Sequence, residues 1–489
     1  MAKKRTIGEF IFENKVVILF ILLCIGGTVA SGQTISYITG ELMSRIARNS
    51  FLVLSLIIPV TAGMGLNFGI VIGAMATQIA LFCTTHWGIT GVTGLFATAA
   101  LSVPLAVFFG FLVGELFNKM KGSEMIGGMV LGYFADGLYQ LLFLFILGGV
   151  IPIDNPILMV PITGVGVTAT IDLANTIKYS LDTIPLLSVL ELAFYVTAAV
   201  TAILVMVKLV KKNTINWQKV LTPVAVLGVL FAVSFVPSIE NLLQQDRVVM
   251  LTVFELGCVA VVLWYAVSFV LAKAGKTAFN RKKAIAHCGL AAVLYALSYI
   301  PAVYDALRMT KLPMTTYLLV FALCMFNNVL MSTRLGQNMR TVGQNRAVAH
   351  AAGINVDRTR VIAMILSTVL ASWGQLIFLQ NVGTFSTYGA HTQVGQFAIA
   401  ALLVGGASVQ KATNKQAILG VVLFHTMFIV APLAGRNLFG NAIIGEYFRV
   451  FISYGVIALA LAMHAWKKVI KPAVAANKKE EKTTSAPAA

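Results

Sequence analysis

The residues with chemistry to offer are few, and they sit inside apolar stretches. Asp136 and Gln140 stand four apart in the apolar segment 123–150, so on a helix they share a face. An ionisable side chain in hydrocarbon is expensive unless it is paired or wet. This pair therefore either lines a pore or forms an internal hydrogen-bonded couple. Asn67 lies in Gly63-Met64-Gly65-Leu66-Asn67-Phe68-Gly69, an interruption that frees backbone carbonyls. It reads as a pathway residue or as the cap of a half-helix. Gln375 and Gln396 are mid-helix amides, suited to touching a solute or to joining helices. Glu255 is expected to be solvated near a helix end, and His425 to be packed among apolar neighbours. The remaining histidines, His391 among them, have no ligand-like spacing. No cluster of His, Cys and carboxylates suggests a metal site, and no nucleophile sits beside a base. The expectation is a protein without cofactor or metal that is not an enzyme.

The elements that must hold these groups are membrane helices. Of 489 residues, 58% are hydrophobic and 11% charged, against about 25% charged in soluble chains. Apolar runs of about 20 residues, enough to cross hydrocarbon as helix, succeed one another. The fold class expected is an all-α integral membrane protein: a polytopic helical bundle with a broken early helix and about 13–14 passes. Lys and Arg number 36 against 18 Asp and Glu, a net charge of +18. In a membrane chain this excess marks cytoplasmic loops rather than a nucleic-acid partner. Cys24, Cys83, Cys258, Cys288 and Cys324 lie in or beside apolar segments and read as small buried hydrophobes.

Charge fixes the expected topology. Clusters of Lys and Arg fall in 118–122, 208–219, 273–283, 334–360, 410–415 and 467–479. All six lie on one side if the segment 51–84 enters and returns around its glycines, with both termini cytoplasmic in a bacterial cell membrane. Lys3-Lys4-Arg5 and the run to Ala30 mimic a signal peptide, but the topology needs this segment as a first helix. A transmembrane permease domain is expected over 1–466. Within it, 151–186 is an outer loop, long enough for a small cap, and 210–310 forms extra helices. A disordered basic tail is expected over 467–489.

The stretch Arg334 to Gln375 is the most informative. Ala347, Ala349, Ala351 and Ala352 favour helix, and Gly353 is a natural stop. A short basic helix is expected between two spanning helices, with Arg340, Arg346, Arg358 and Arg360 offering donors to carboxylates on a partner. Gly336, Gly343, Asn345, Ala349, Gly353, Ile354 and Val356, with Ser372 and Gly374 beyond, resemble the coupling region of permease subunits of bacterial ATP-binding cassette importers. The branch is the one for simple sugars, nucleosides and branched-chain amino acids. Leu403-Val404-Gly405-Gly406-Ala407-Ser408 and Ile418-Leu419-Gly420 resemble the family's late glycine pair and its next helix. Ala62 to Gly69 resembles the broken early helix, with Gly65 where sugar-type members carry an acid. The resemblance is not visible over 210–310.

What the resemblance implies is a subunit that forms the translocation pathway and hydrolyses no ATP. Consistent with this, the sequence contains no Gly-x-x-x-x-Gly-Lys-Ser/Thr motif. Cytoplasmic ATPase subunits would dock on the coupling helix, at Arg340, Gly343, Asn345, Arg346, Ala349, Gly353 and Ile354. A second permease, identical or related, would complete the pore, and an external binding protein would deliver the solute. Amides and few charges favour a small neutral polar solute, a sugar or nucleoside. An ion-coupled secondary transporter is the alternative, and would want inverted repeats and an ion site; neither is evident. A membrane enzyme is a third reading.

Overall fold

The computed structural model describes residues 14–160, 166–210, 217–273, 280–451, 454, 455 and 458. The expected tail 467–489 and the basic residues 3–5 lie outside the described residues. The helices are α1 (Lys15–Ser31), α2 (Ile35–Ser55), α3 (Ile57–Thr61), α4 (Ile70–His86), α5 (Gly91–Lys119) and α6 (Glu124–Leu141), which runs on through π-helical turns Leu142–Val150. After strand β1 (Thr170–Asp172) come α7 (Leu186–Val210), α8 (Trp217–Ser234) and α9 (Pro237–Leu243). Strand β2 (Val248–Val249) precedes α10 (Met250–Lys273), α11 (Arg281–Leu297) and α12 (Pro301–Met309). Then follow β3 (Lys311–Leu312), α13 (Met314–Ser332), α14 (Arg334–Gln344), α15 (Arg346–Ala351) and α16 (Val356–Val382). Strand β4 (Thr384–Ser386), α17 (Ala390–Val404) and α18 (Asn414–Phe439) complete the series.

Among the described residues, eight helices are long and apolar enough to cross a membrane, or up to ten if α8–α9 and α11–α12, bent by 102° and 91°, each count as one span. Helices α1, α4 and α17 are apolar but shorter. Ten spans and these three shorter helices together make 13, the lower end of the expected 13–14 passes. The architecture is an all-α polytopic membrane protein.

The chain divides into two compact units. The first comprises 1–33, 48–178 and 320–489. Helix α16 is its axis, packed along α5 and α4. Hydrocarbon offers no hydrophobic force between helices, so close packing and hydrogen bonds must hold them. The sequence supplies small residues for this. Gly110 and Gly114 of α5 face Ile365 and Val361, and Gly73 of α4 faces Thr368 and Ala371. The Thr77 hydroxyl donates to the Ser372 carbonyl at 2.5 Å, and the Ser367 hydroxyl to the Ser55 carbonyl at 3.0 Å. Helix α1 packs on α18, where Asn437 donates to the Ser31 carbonyl at 2.6 Å.

The segment 51–84 is two helical arms joined by a turn at 62–69, with Gly63 and Gly65 at φ +73° and +72°. Part of the 151–186 stretch folds back on this unit. β1 pairs antiparallel with β4, Thr170 opposite Ser386, and Leu158, Ile171, Leu173 and Ile177 are buried. Tyr388 donates to the Val167 carbonyl at 2.7 Å, and burial raises its hydroxyl pKa, so it stays a donor.

The second unit comprises 34–47 and 179–319. It pairs α7 with α8 and α10 with α11, and β2 with β3 through Val248 opposite Leu312. Its buried carboxylate, Asp182, accepts from the Thr316 hydroxyl at 2.6 Å and faces Arg247 at 3.9 Å. The described residues of 210–310 are largely helical within this unit.

Candidate functional site

At one end of the first unit, three side-chain caps cut the basic stretch into helices. The Thr333 hydroxyl accepts from the Gly336 amide and begins α14. Asn345 accepts from the Ala347 and Val348 amides at 2.9 and 3.2 Å and begins α15. Asn355 accepts from the Arg358 amide at 2.9 Å and begins α16. Such oxygens satisfy amides that the first helical turn leaves open. Gly353, at φ +76°, ends α15 in a conformation that favours glycine. The result is a two-helix module, α14–α15, between spanning helices. Ala349 is buried beneath α15, while Val348 is 56% exposed on it.

The module is seated on the turn of the broken helix. A Cβ on Gly343 would lie 2.1 Å from the Thr61 carbonyl oxygen and 3.0 Å from the Gly63 amide nitrogen. The two backbones touch because position 343 carries no side chain. Arg340 is exposed and, with Lys411, Asn327, Asn328 and Asn414, lines a cavity of about 710 Å³ beside the module.

Two of the four arginines expected to face a partner are engaged within the chain. Nη2 of Arg346 donates to Glu124 Oε1 at 2.5 Å and to the Gly63 carbonyl at 3.3 Å. Arg360 is fully buried; its Nη2 donates to the same Oε1 at 2.6 Å and to the Phe117 carbonyl at 3.3 Å. Glu124 thus collects both arginines within the chain, and the Arg346 side chain keeps 31% exposure. Arg340 and Arg358 remain exposed.

The intramembrane polar groups separate into satisfied and unsatisfied ones. Asp136 accepts from Gln140 at 3.0 Å, the internal couple that was one of the two readings. Its other oxygen lies within hydrogen-bond distance of Nε2 of His391, at 2.7 Å. Tyr139 lies against the His391 ring, with centroids 4.7 Å apart. Spacing along the sequence had set His391 aside, and the fold brings it to the carboxylate from 255 residues away. Asn67 is buried, with its amide nitrogen 3.4 Å from the Met364 sulfur and its oxygen unpartnered. Gln375 is fully buried with neither amide atom partnered, and Gln78 of α4, which the sequence reading did not single out, is in the same condition. Gln396 accepts from the Tyr454 hydroxyl at 2.9 Å. His425 is buried beside Phe424 and Phe428. No group of three or more His, Cys, Asp or Glu could hold a metal among the described residues.

Comparison with known proteins places this geometry. The family model for the branched-chain amino acid transport system permease component matches residues 162–461, including the 210–310 stretch where no resemblance was visible. A ribose import permease protein of Escherichia coli is 31% identical over 130 residues, 26% of this chain and 38% of the relative. Two nucleoside ABC transporter permease proteins of Lactococcus lactis subsp. cremoris are also similar. One is 29% identical over 182 residues, 37% of this chain and 55% of the relative. The other is 25% identical over 172 residues, 33% of this chain and 44% of the relative. The matches thus span about half or less of these relatives' lengths. No solved structure matches the chain. The match to the family model covers more than half of the chain, and the protein belongs to the family of branched-chain amino acid transport system permease components.

Proposed function

We propose that the chain is the membrane-spanning permease subunit of an ATP-binding cassette importer for a small neutral polar solute, a nucleoside or simple sugar. The observation that carries this reading is the seating of the α14–α15 module, backbone to backbone, on the turn of the broken helix through Gly343 and Gly63. Such a contact can pass a push from outside the membrane to the spanning helices without loss in flexible side chains. The relatives named for ribose and nucleosides support the solute class. So do the amides of Gln375, Gln78 and Asn67, which both donate and accept and suit a hydroxylated, uncharged molecule.

In this reading the module's end of the first unit faces the cytoplasm, in a bacterial inner membrane, with both termini on that side. ATPase subunits dock on α15, a second permease completes the pathway, and an external binding protein delivers the solute. ATP binding favours one conformation of the assembly, and the module biases the pathway towards it. Affinity purification of the tagged chain from its native membrane tests the central partnership. An ATPase is expected to travel with it. Intact, membrane-inserted chain recovered without any ATPase defeats the proposal.

A further inference from the structure

We propose that Glu124 is a positioning residue, a clasp that ties the coupling helix α15 to the pathway helix α6 in the resting state and passes to Arg360 when α15 is moved. The proposal rests on the permease reading above and adds the element through which α15 acts.

Glu124 is the first residue of α6 and is 7% exposed. Its Oε1 accepts from both Arg346 and Arg360, at 2.5 and 2.6 Å, and its Oε2 accepts from the Gly122 amide at 2.9 Å. Two guanidinium groups thus crowd one carboxylate oxygen. The two arms are unequal. The Arg346 side chain is 31% exposed, so water can receive it when it leaves. The Arg360 side chain is fully buried, and its Nε and Nη1 have no partner. A buried charge cannot give up its hydrogen-bonded ion-pair partner cheaply, so the Arg360 arm is fixed. Its idle nitrogens could also take Glu124 in two-pronged fashion once Arg346 withdraws. Release of α15 is therefore compensated at Arg360. Glu124 thus keeps a guanidinium partner in both states, which the carboxylate of a single ion pair does not.

The consequence reaches the pathway. Asp136 lies twelve residues along α6 from Glu124, about 18 Å of helix rise. Arg346 also holds the Gly63 carbonyl at the broken-helix turn. When α15 moves, the start of α6 and the turn of the broken helix lose their common tie together.

The test leaves the clasp intact and reads the distance beside it. Cys24, Cys83, Cys258, Cys288 and Cys324 are replaced, and cysteines are placed at the exposed neighbours Ser123 and Ala347. The chain is assembled with its ATPase and treated with a flexible bis-maleimide, without nucleotide and after trapping with ATP and vanadate. Cross-linking is expected to be fast without nucleotide and to slow about fivefold or more on trapping, the low end of measured couplings between sites. With Arg346→Gln, which keeps the Glu124–Arg360 pair, it is expected to be slow in both states. Equal rates in the two nucleotide states would show a static strut and overturn the clasp. An Arg346→Gln chain that behaves as the unmodified one would overturn it too. Whether an ATPase assembles with the unmodified chain is read first; failure there refutes the permease reading, and the clasp with it.

Discussion

Replacing Gln375 by methionine should make the protein more stable and a worse transporter. Gln375 lies in α16, fully buried, and both its amide atoms lack partners. A buried polar group left unsatisfied costs about 1–3 kcal/mol. Methionine has nearly the same length and shape, no polar amide, and enough flexibility to fill the same space. Gln375→Met should therefore recover about 1–3 kcal/mol, seen as a rise of a few °C in thermal unfolding of the purified, lipid-supplemented protein. Gln396→Met is the control, because Gln396 accepts a hydrogen bond from Tyr454 at 2.9 Å. It should lose about 0.5–1.5 kcal/mol, the opposite sign. A natural chain keeps an unsatisfied amide when function uses it, so solute uptake by Gln375→Met should fall. A lower melting temperature for Gln375→Met refutes the reasoning, since the amide must then have a partner in the folded state. A higher one with unchanged uptake removes Gln375 from the pathway.

Three further outcomes are expected. Gly343→Ala drives a methyl group to 2.1 Å from the Thr61 carbonyl oxygen. It should cost about 1–3 kcal/mol by overpacking and reduce uptake with the ATPase still bound; unaltered stability and uptake would show that the seating is loose. At Gly353, with φ +76° and open space around the missing side chain, Gly353→Val should weaken ATPase co-purification. Gly353→Asn, which tolerates that conformation, should largely keep it; equal binding by both refutes a requirement for the turn. Asp136→Asn removes the charge that holds His391 at 2.7 Å. It should lower uptake while leaving assembly with the ATPase intact, and normal uptake at equal expression takes Asp136 off the pathway.

Some local features were legible in the sequence. Gly353 ends α15 through chemistry that acts within a few residues, and the turn at Gly63–Gly69 was marked by glycine alone; the Asn345 cap that divides the basic stretch into two helices was not read. The pairing of Asp136 with Gln140 was one of the two readings that a four-residue spacing allowed. Long-range partners were not legible. Arg346 and Glu124 are 222 residues apart, so the arginine looked free on its helix while the carboxylate closed a loop elsewhere. His391 was set aside because its partner lies on a different helix and only the packed bundle brings α17 to α6. The unsatisfied state of Gln375 and Gln78 likewise depends on what surrounds them. A sequence gives an amide's position in an apolar run, but not whether a neighbouring helix answers it.

The central claim is that this chain carries a solute pathway worked by ATP from its basic end. It is tested most directly by uptake into proteoliposomes holding the chain with its ATPase, second permease and binding protein, using radiolabelled uridine and ribose as probes. Half of the sample is energised with ATP and half with an imposed proton or sodium gradient. Uptake of a probe with ATP and none with the gradient is the predicted result. Uptake driven by the gradient in the absence of ATP contradicts it.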